Sequence, residues 1–205
     1  MFDSGISVKS LIEELKTTEV DIAFDIPNAT YVSWLNSLQQ ILYREVIKEQ
    51  RRVTFNELPL SNPISISDIQ IGDNENEPRF EDIHAVYADG VQLIKSTVTS
   101  GVIFDNTYYK TNNDIGYNTV NEPTSLDIIY IVKPALITVT EEDEINDVKV
   151  MLPVEFIDLV KAKLRGEAYK LVNEGNISAN WLNDYNILLE IFKTWIADKT
   201  PKLGI

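Results

Sequence analysis

From Leu152 to Ile205 apolar side chains recur at helical spacing, and no other stretch limits the possible folds as strongly. Pro153 suits a first helical turn, where its missing N–H costs nothing. Apolar residues follow at Phe156, Val160, Leu164, Ala168 and Leu171, close to one helical period. Gly175 stands where a helix C-terminus favours a residue that tolerates positive φ. Ser178 then offers a hydroxyl to cap a second helix. That helix carries Trp181, Tyr185, Leu188, Leu189, Phe192, Trp195 and Ile196 on one broad face, and a short tail follows Pro201. The expectation is a helical hairpin built for packing, within the subunit or between subunits.

Two further helices are expected near the N-terminus. Residues 7–16 place Val8, Leu11, Ile12 and Leu15 on one face, with Ser7 as cap. After a mixed link, a stronger helix runs from Tyr31 to Gln50, with Pro27 and the capping candidate Asn28 just ahead of it. Tyr31, Leu35, Leu38, Leu42 and Val46 form its stripe. Trp34 and Ile41 widen the apolar face beyond what one partner helix covers. Two readings of Trp34 and Ile41 stay open: burial within the monomer, or contact with a neighbouring subunit.

From Arg52 to about Thr140 helical periodicity disappears, prolines recur, and β-branched and aromatic residues dominate. Pro63 to Ile66 and Ile69 to Ile71 alternate as half-buried strands do. Ile83 to Tyr87 and Val91 to Lys95 flank Asp89-Gly90, the dipeptide that a tight hairpin turn demands. Asn106 to Lys110 and Ile115 to Tyr117 read as a second hairpin, and Leu126 to Val132 as a strand closed by Pro134. Thr140 to Val148 reads as an acidic linker. The expected fold is α+β: a helical bundle of about four helices, the last two a C-terminal hairpin, with a small antiparallel β-domain inserted between helix 2 and helix 3. The expected division is 1–51, an N-terminal helical half; 52–140, the inserted domain; and 141–205, the hairpin and tail that complete the helical domain.

Charge and composition narrow the function. Lys and Arg number 18 against 32 Asp and Glu, a net charge of −14, which disfavours gripping a phosphate backbone. The one basic cluster, Arg51-Arg52 near Lys48, reads first as a solvated helix end. There is no cysteine, so a disulfide framework, a thiolate zinc site and a cysteine nucleophile are excluded. The N-terminus shows no basic region followed by an apolar run, so no signal peptide is expected. No stretch approaches the ~18 apolar residues of a membrane helix. A soluble protein, intracellular or part of an assembly, is expected.

Motifs that carry chemistry are scarce. The single histidine, His84, lies mid-strand without partners at metal-ligand spacing, and reads as a structural or surface residue. No glycine-rich phosphate loop is present. Asp73 to Glu77 alternates oxygen ligands but lacks the glycine and distal glutamate of a calcium loop. Glu141 to Glu144 reads as a charged linker or a helix start. No catalytic, cofactor or metal residue is expected.

The order of elements nevertheless carries a likeness. A strong helix from Tyr31 to Gln50 precedes an excursion of strands. Leu152, Pro153 and Phe156, as L-P-x-x-F, then open the helix IDLVKAKLRGEAYKLV, and WLNDYNILLEIFKTWI closes the chain. This resembles the head–tail connector (adaptor) proteins of tailed bacteriophages, whose longer members insert a β-domain ahead of the C-terminal hairpin. The likeness covers about half the chain, the helical part. It implies a virion structural protein, not an enzyme, with no cofactor. Subunits would form a ring, commonly a dodecamer, below the portal protein in the virion neck, after synthesis in the host cytoplasm. The ring would extend the DNA channel and dock tail or tail-completion (stopper) proteins, with no membrane contact and no sequence-specific DNA binding. By position, Trp195, Ile196, Lys202, Leu203 and Ile205 would contact the portal, while Trp34 and Ile41 would fit lateral packing. Two alternatives remain: another phage tail or baseplate adaptor, or a ligand-binding or hydrolytic module using Tyr108, Tyr109 and Tyr117.

Overall fold

A computed structural model describes residues 4–18, 26–56, 60–69, 79–96, 104–145 and 148–199. It corrects the expected fold class. The chain is a mixed α/β protein, with five helices and a seven-stranded sheet curled into a half-barrel among the described residues, rather than a helical bundle with a small antiparallel insert. Two compact units form, Met1–Ile47 with Pro134–Ile205, and Lys48–Lys133.

The second unit holds strands β1 (Gln50–Phe55), β2 (Ile64–Ser65), β3 (Arg79–Ala88), β4 (Val91–Lys95), β5 (Thr107–Lys110), β6 (Asp114–Asn118) and β7 (Leu126–Lys133). Their spatial order is β1-β7-β3-β4-β5-β6-β2. All pairs are antiparallel except β4 with β5. β4 makes the sheet large, because it pairs with β3 on one side and β5 on the other. β7 shows the period of two that a half-buried strand requires: Leu126, Ile128, Tyr130 and Val132 point inward and are buried. Asp89 and Gly90 both have positive φ, as the expected hairpin turn between β3 and β4 needs. Ile66–Ile69 forms a single helical turn, α3, where alternation had pointed to a strand; Gln70 and Ile71 lie outside the described residues.

Strand β1 replaces the end of the expected long helix. The helix α2 spans Asn28–Leu42, continues as a π-helical turn over Tyr43–Ile47, and breaks at Lys48, which has φ 47°. Val53 and Phe55 then face inward on a strand. On the outer face, Asp127 of β7 accepts from the Arg52 guanidinium and the Thr54 hydroxyl of β1. Arg51 pairs with Glu49. Arg51 and Arg52 are therefore each paired with a neighbouring acid.

In the other unit, α1 (Val8–Thr18) buries Val8, Leu11, Ile12 and Leu15, and the Ser7 hydroxyl caps it by accepting the Ser10 N–H at 3.1 Å. Just ahead of it, residues 4–8 hydrogen-bond to residues 148–150. The N-cap of α2 is Pro27, whose side chain cannot accept, and Asn28 caps nothing from its own position. The cap comes from Asp143 instead. Its carboxylate accepts the N–H groups of Asn28 and Ala29 at 2.8 and 2.9 Å, while the Asn28 amide donates to the Asp143 carbonyl. Thus the acidic stretch is a tight turn, bridged by Val139 and Ile145, that carries a capping group. Further along α2, Asn36 grips both backbone groups of Ile137, and the Gln39 Oε1 accepts the Met151 N–H at 2.8 Å.

The Asn28 N–H, then that of Ala29, outweigh partial burial and hold the Asp143 carboxyl below its usual range. A carboxylate with a depressed folded pKa stabilises fully above the unfolded value and loses that contribution as pH falls through the folded one. Asp143→Asn, which tolerates the positive φ of this position, is expected to cost about 1 kcal/mol near neutral pH, because its amide offers one acceptor oxygen where the carboxylate offers one to each N–H. The cost should shrink in acid. Thermal unfolding across pH checks this; an equal cost at all pH values would rule out the cap.

The hairpin is α4 (Ile157–Leu171), entered through a 3-10 turn at Val154–Phe156, and α5 (Gly175–Lys199). Two expectations at its turn change. Gly175 lacks positive φ and opens α5, while Asn173, with φ 65°, takes the left-handed position after α4. Asparagine tolerates that region because its short polar side chain bonds locally. Ser178 is not a cap; it lies inside α5, buried, donating to the Gly166 carbonyl at 2.8 Å. A Cβ at Gly166 would stand 2.7 Å from the Leu182 side chain, so glycine sets the close approach of the two helices.

Candidate functional site

Helix α5 is apolar on more sides than its neighbours cover. Phe192 and Ile196 are buried, and Phe156, Phe192 and Trp195 form a ring cluster with centroids 4.7 to 6.4 Å apart. On a different flank Ile177, Ile187 and Ile191 are 41%, 53% and 53% exposed. At about 3.6 residues per turn these three fall within about 80° of one another. Isolated exposed aliphatics need no explanation, whereas a stripe of them marks a surface to be covered.

Beside the stripe, α4 and α5 enclose an open groove of about 460 Å³. Asp158, Lys161 and Arg165 line its α4 wall, and Trp181, Asp184 and Ile187 its α5 wall. Lys161 is tied to Glu14 at 2.6 Å, and Arg165 lies over the Trp181 ring at 4.7 Å. Lys163 similarly covers Tyr185, and Lys199 covers Trp195. The rings are thus braced by cations, each such contact contributing about 0.5–1 kcal/mol at exposed sites. Together the groove and stripe offer apolar area framed by both signs of charge, the composition of a protein-binding surface.

The other residues singled out in the sequence fall as follows. Trp34 is half-buried, edge-on to Tyr31 at 5.5 Å, and Ile41 is 44% exposed on α2. Trp195 is half-buried against Phe156, and Ile196 is part of the core. Lys202, Leu203 and Ile205 lie outside the described residues, as does the Asp73–Glu77 stretch. Tyr108 and Tyr117 are buried as a cross-strand pair, and the Tyr109 ring covers Gly116, so these tyrosines pack rather than form an open stacking platform. His84 is exposed on β3.

The stripe on α5 escaped sequence reasoning. Ile187 and Ile191 flank a face already rich in apolar residues, so periodicity absorbed them into a broad packing surface. The available signal was apolar residues on nearly every side of a helix, which calls for more than one neighbour. Among the described residues, no group of three or more acidic or histidine side chains is placed to hold a metal ion. No helix among them is long and apolar enough to cross a membrane. No protein-family model matches this chain, and no curated protein matches it.

Proposed function

We propose that this chain is a virion structural protein of the head–tail adaptor type. It assembles as a ring below a portal protein, extends the DNA channel and docks tail-completion proteins. The observation that carries this reading is the exposed stripe of Ile177, Ile187 and Ile191 beside the α4–α5 groove. A ring needs two different faces that meet head to tail with a rotation that closes. The stripe supplies one apolar face, and Trp34 with Ile41 on α2 supplies a candidate for the other. The net charge of −14 supports a lumen that lets DNA pass without holding it. The end of the chain, from Trp195 onward, is the segment assigned to the portal, and the surrounding partners are proteins of the neck.

The test combines mass in solution with imaging of purified portal rings from the same virus. The wild-type chain is expected to close into rings, alone or on the portal. Ile187→Asp with Ile191→Asp should keep the fold, since both positions are solvent-exposed, shifting stability by about 1 kcal/mol or less. Ring formation should nevertheless be lost, because a carboxylate is costly to bury in an interface. A wild-type chain that binds neither itself nor the portal would sink the reading, and so would a double variant that still assembles.

A further inference from the structure

The curled sheet contains a second cleft, of about 400 Å³, remote in sequence from the helical hairpin and independent of the ring. It opens where two strands part. β3 pairs with β4 only over Val86–Ala88, and β4 then turns its last residues, Ile94 and Lys95, to Thr107 and Tyr108 of β5. Arg79 to Ala85 of β3 thus pair with β7 on one side and, among the described residues, with no strand on the other. The register of β3 against β7 also slips twice there, leaving Glu81 and His84 as extra residues. Such bulges redirect side chains and end strand pairing, and they gather beside functional sites.

Four side chains around this opening can donate hydrogen bonds. His84, Gln92, Lys95 and Tyr108 line it over an apolar floor of Ala85 and Leu93. Lys95 is exposed and has no ion-pair partner among the described residues. The neighbouring Lys110 is already engaged with Asp82 at 3.0 Å. The Tyr108 side chain is 5% exposed, and its hydroxyl has no hydrogen-bond partner among the described residues. Burial, then the Asp82 charge, raises its pKa, so the phenol keeps its proton at neutral pH. A protonated phenol, an ammonium and an amide N–H around one opening select an acceptor with negative charge.

We propose that this cleft binds an extended acidic peptide segment of a partner protein, which lies along the open edge of β3 and places a carboxylate between Lys95 and Tyr108. Strand addition provides the backbone contacts for such a segment. Lys95 makes no ion pair among the described residues and Asp82, the carboxylate whose charge it feels, is bound by Lys110, so the charge of Lys95 sets the preference for glutamate or aspartate at one position. Leu93 and Ala85 receive an apolar neighbour of that residue on the cleft floor.

The test is a fluorescence titration of the full chain with a labelled peptide alternating glutamate and valine, alongside a counterpart with glutamine for glutamate. The acidic peptide is expected to bind about tenfold more tightly than its neutral counterpart, with affinity falling as salt is added. Lys95→Gln should weaken it by about fivefold, and Tyr108→Phe, which keeps the packed ring, by about threefold. Equal affinity for the two peptides, or unchanged binding by Lys95→Gln, overturns the proposal. Displacement of the peptide by an equal concentration of inorganic phosphate would reveal a small-anion site, and also overturns it.

Discussion

Phe192→Ala is expected to lower the stability of the helical unit by about 3–5 kcal/mol. Phe192 is fully buried on α5, with the Phe156 ring centroid at 4.7 Å and the stacked Trp195 at 6.4 Å. Truncation removes the transfer energy of the ring and leaves a cavity between α4 and α5 that helices joined by so short a turn cannot readily collapse. All three tryptophans, Trp34, Trp181 and Trp195, belong to this unit. Urea unfolding followed by tryptophan fluorescence therefore reads its stability without interference from the sheet. Ile191→Ala, one residue away but 53% exposed, serves as control and should change stability by about 0.5 kcal/mol or less. A Phe192→Ala loss below about 1 kcal/mol would refute the ring cluster as the anchor of the hairpin.

Gln39→Leu should cost about 1–3 kcal/mol although it makes the core more apolar and nearly conserves volume. Gln39 is 1% exposed, and its Oε1 accepts the Met151 N–H, 112 residues further along the chain. Leucine leaves that buried N–H with no acceptor, and the desolvation penalty then falls on the backbone. Amide hydrogen exchange at Met151 gives a local readout, because its protection should drop more than that of residues within α4. A variant as stable as the wild type, with Met151 equally protected, would show that water or another acceptor satisfies the group. Asn36, one turn earlier, makes the analogous double grip on Ile137, so α2 acts as a rail that holds the returning chain.

Local pattern made much of this protein legible. The four buried residues of α1 and the Ser7 cap follow from helical period and capping chemistry alone. The β3–β4 turn follows from Asp-Gly, and β7 from its run of β-branched and aromatic residues closed by Pro134. What remained hidden depends on partners far away in sequence. The helix expected to reach Gln50 ends at Ile47 after a π-helical turn, because the residues from Gln50 onward gain more by pairing with β7 than by extending a helix. Propensity is a weak prior against such tertiary gains. Ser178 looked like a cap and instead bonds to Gly166, since the close approach of α4 and α5 brings a buried carbonyl within its reach.

The candidate surfaces divide in the same way. That α5 would be an apolar packing helix was plain from its sequence, but which residues stay exposed depends on where α4 lies. Burial of Phe192 and Ile196 on one flank leaves Ile187 and Ile191 on another. The cleft in the sheet was invisible, because His84, Lys95 and Tyr108 meet only through the register of three strands. By itself the sequence determined the helical hairpin, the strand-rich middle and an acidic chain without cysteine chemistry. Those properties arise from residues within a few positions of one another, or from composition. The seven-stranded order, the Asp143 cap on α2 and the exposed faces were decided only in three dimensions. Each requires a hydrogen bond or a contact between segments whose separation in sequence carries no local signal.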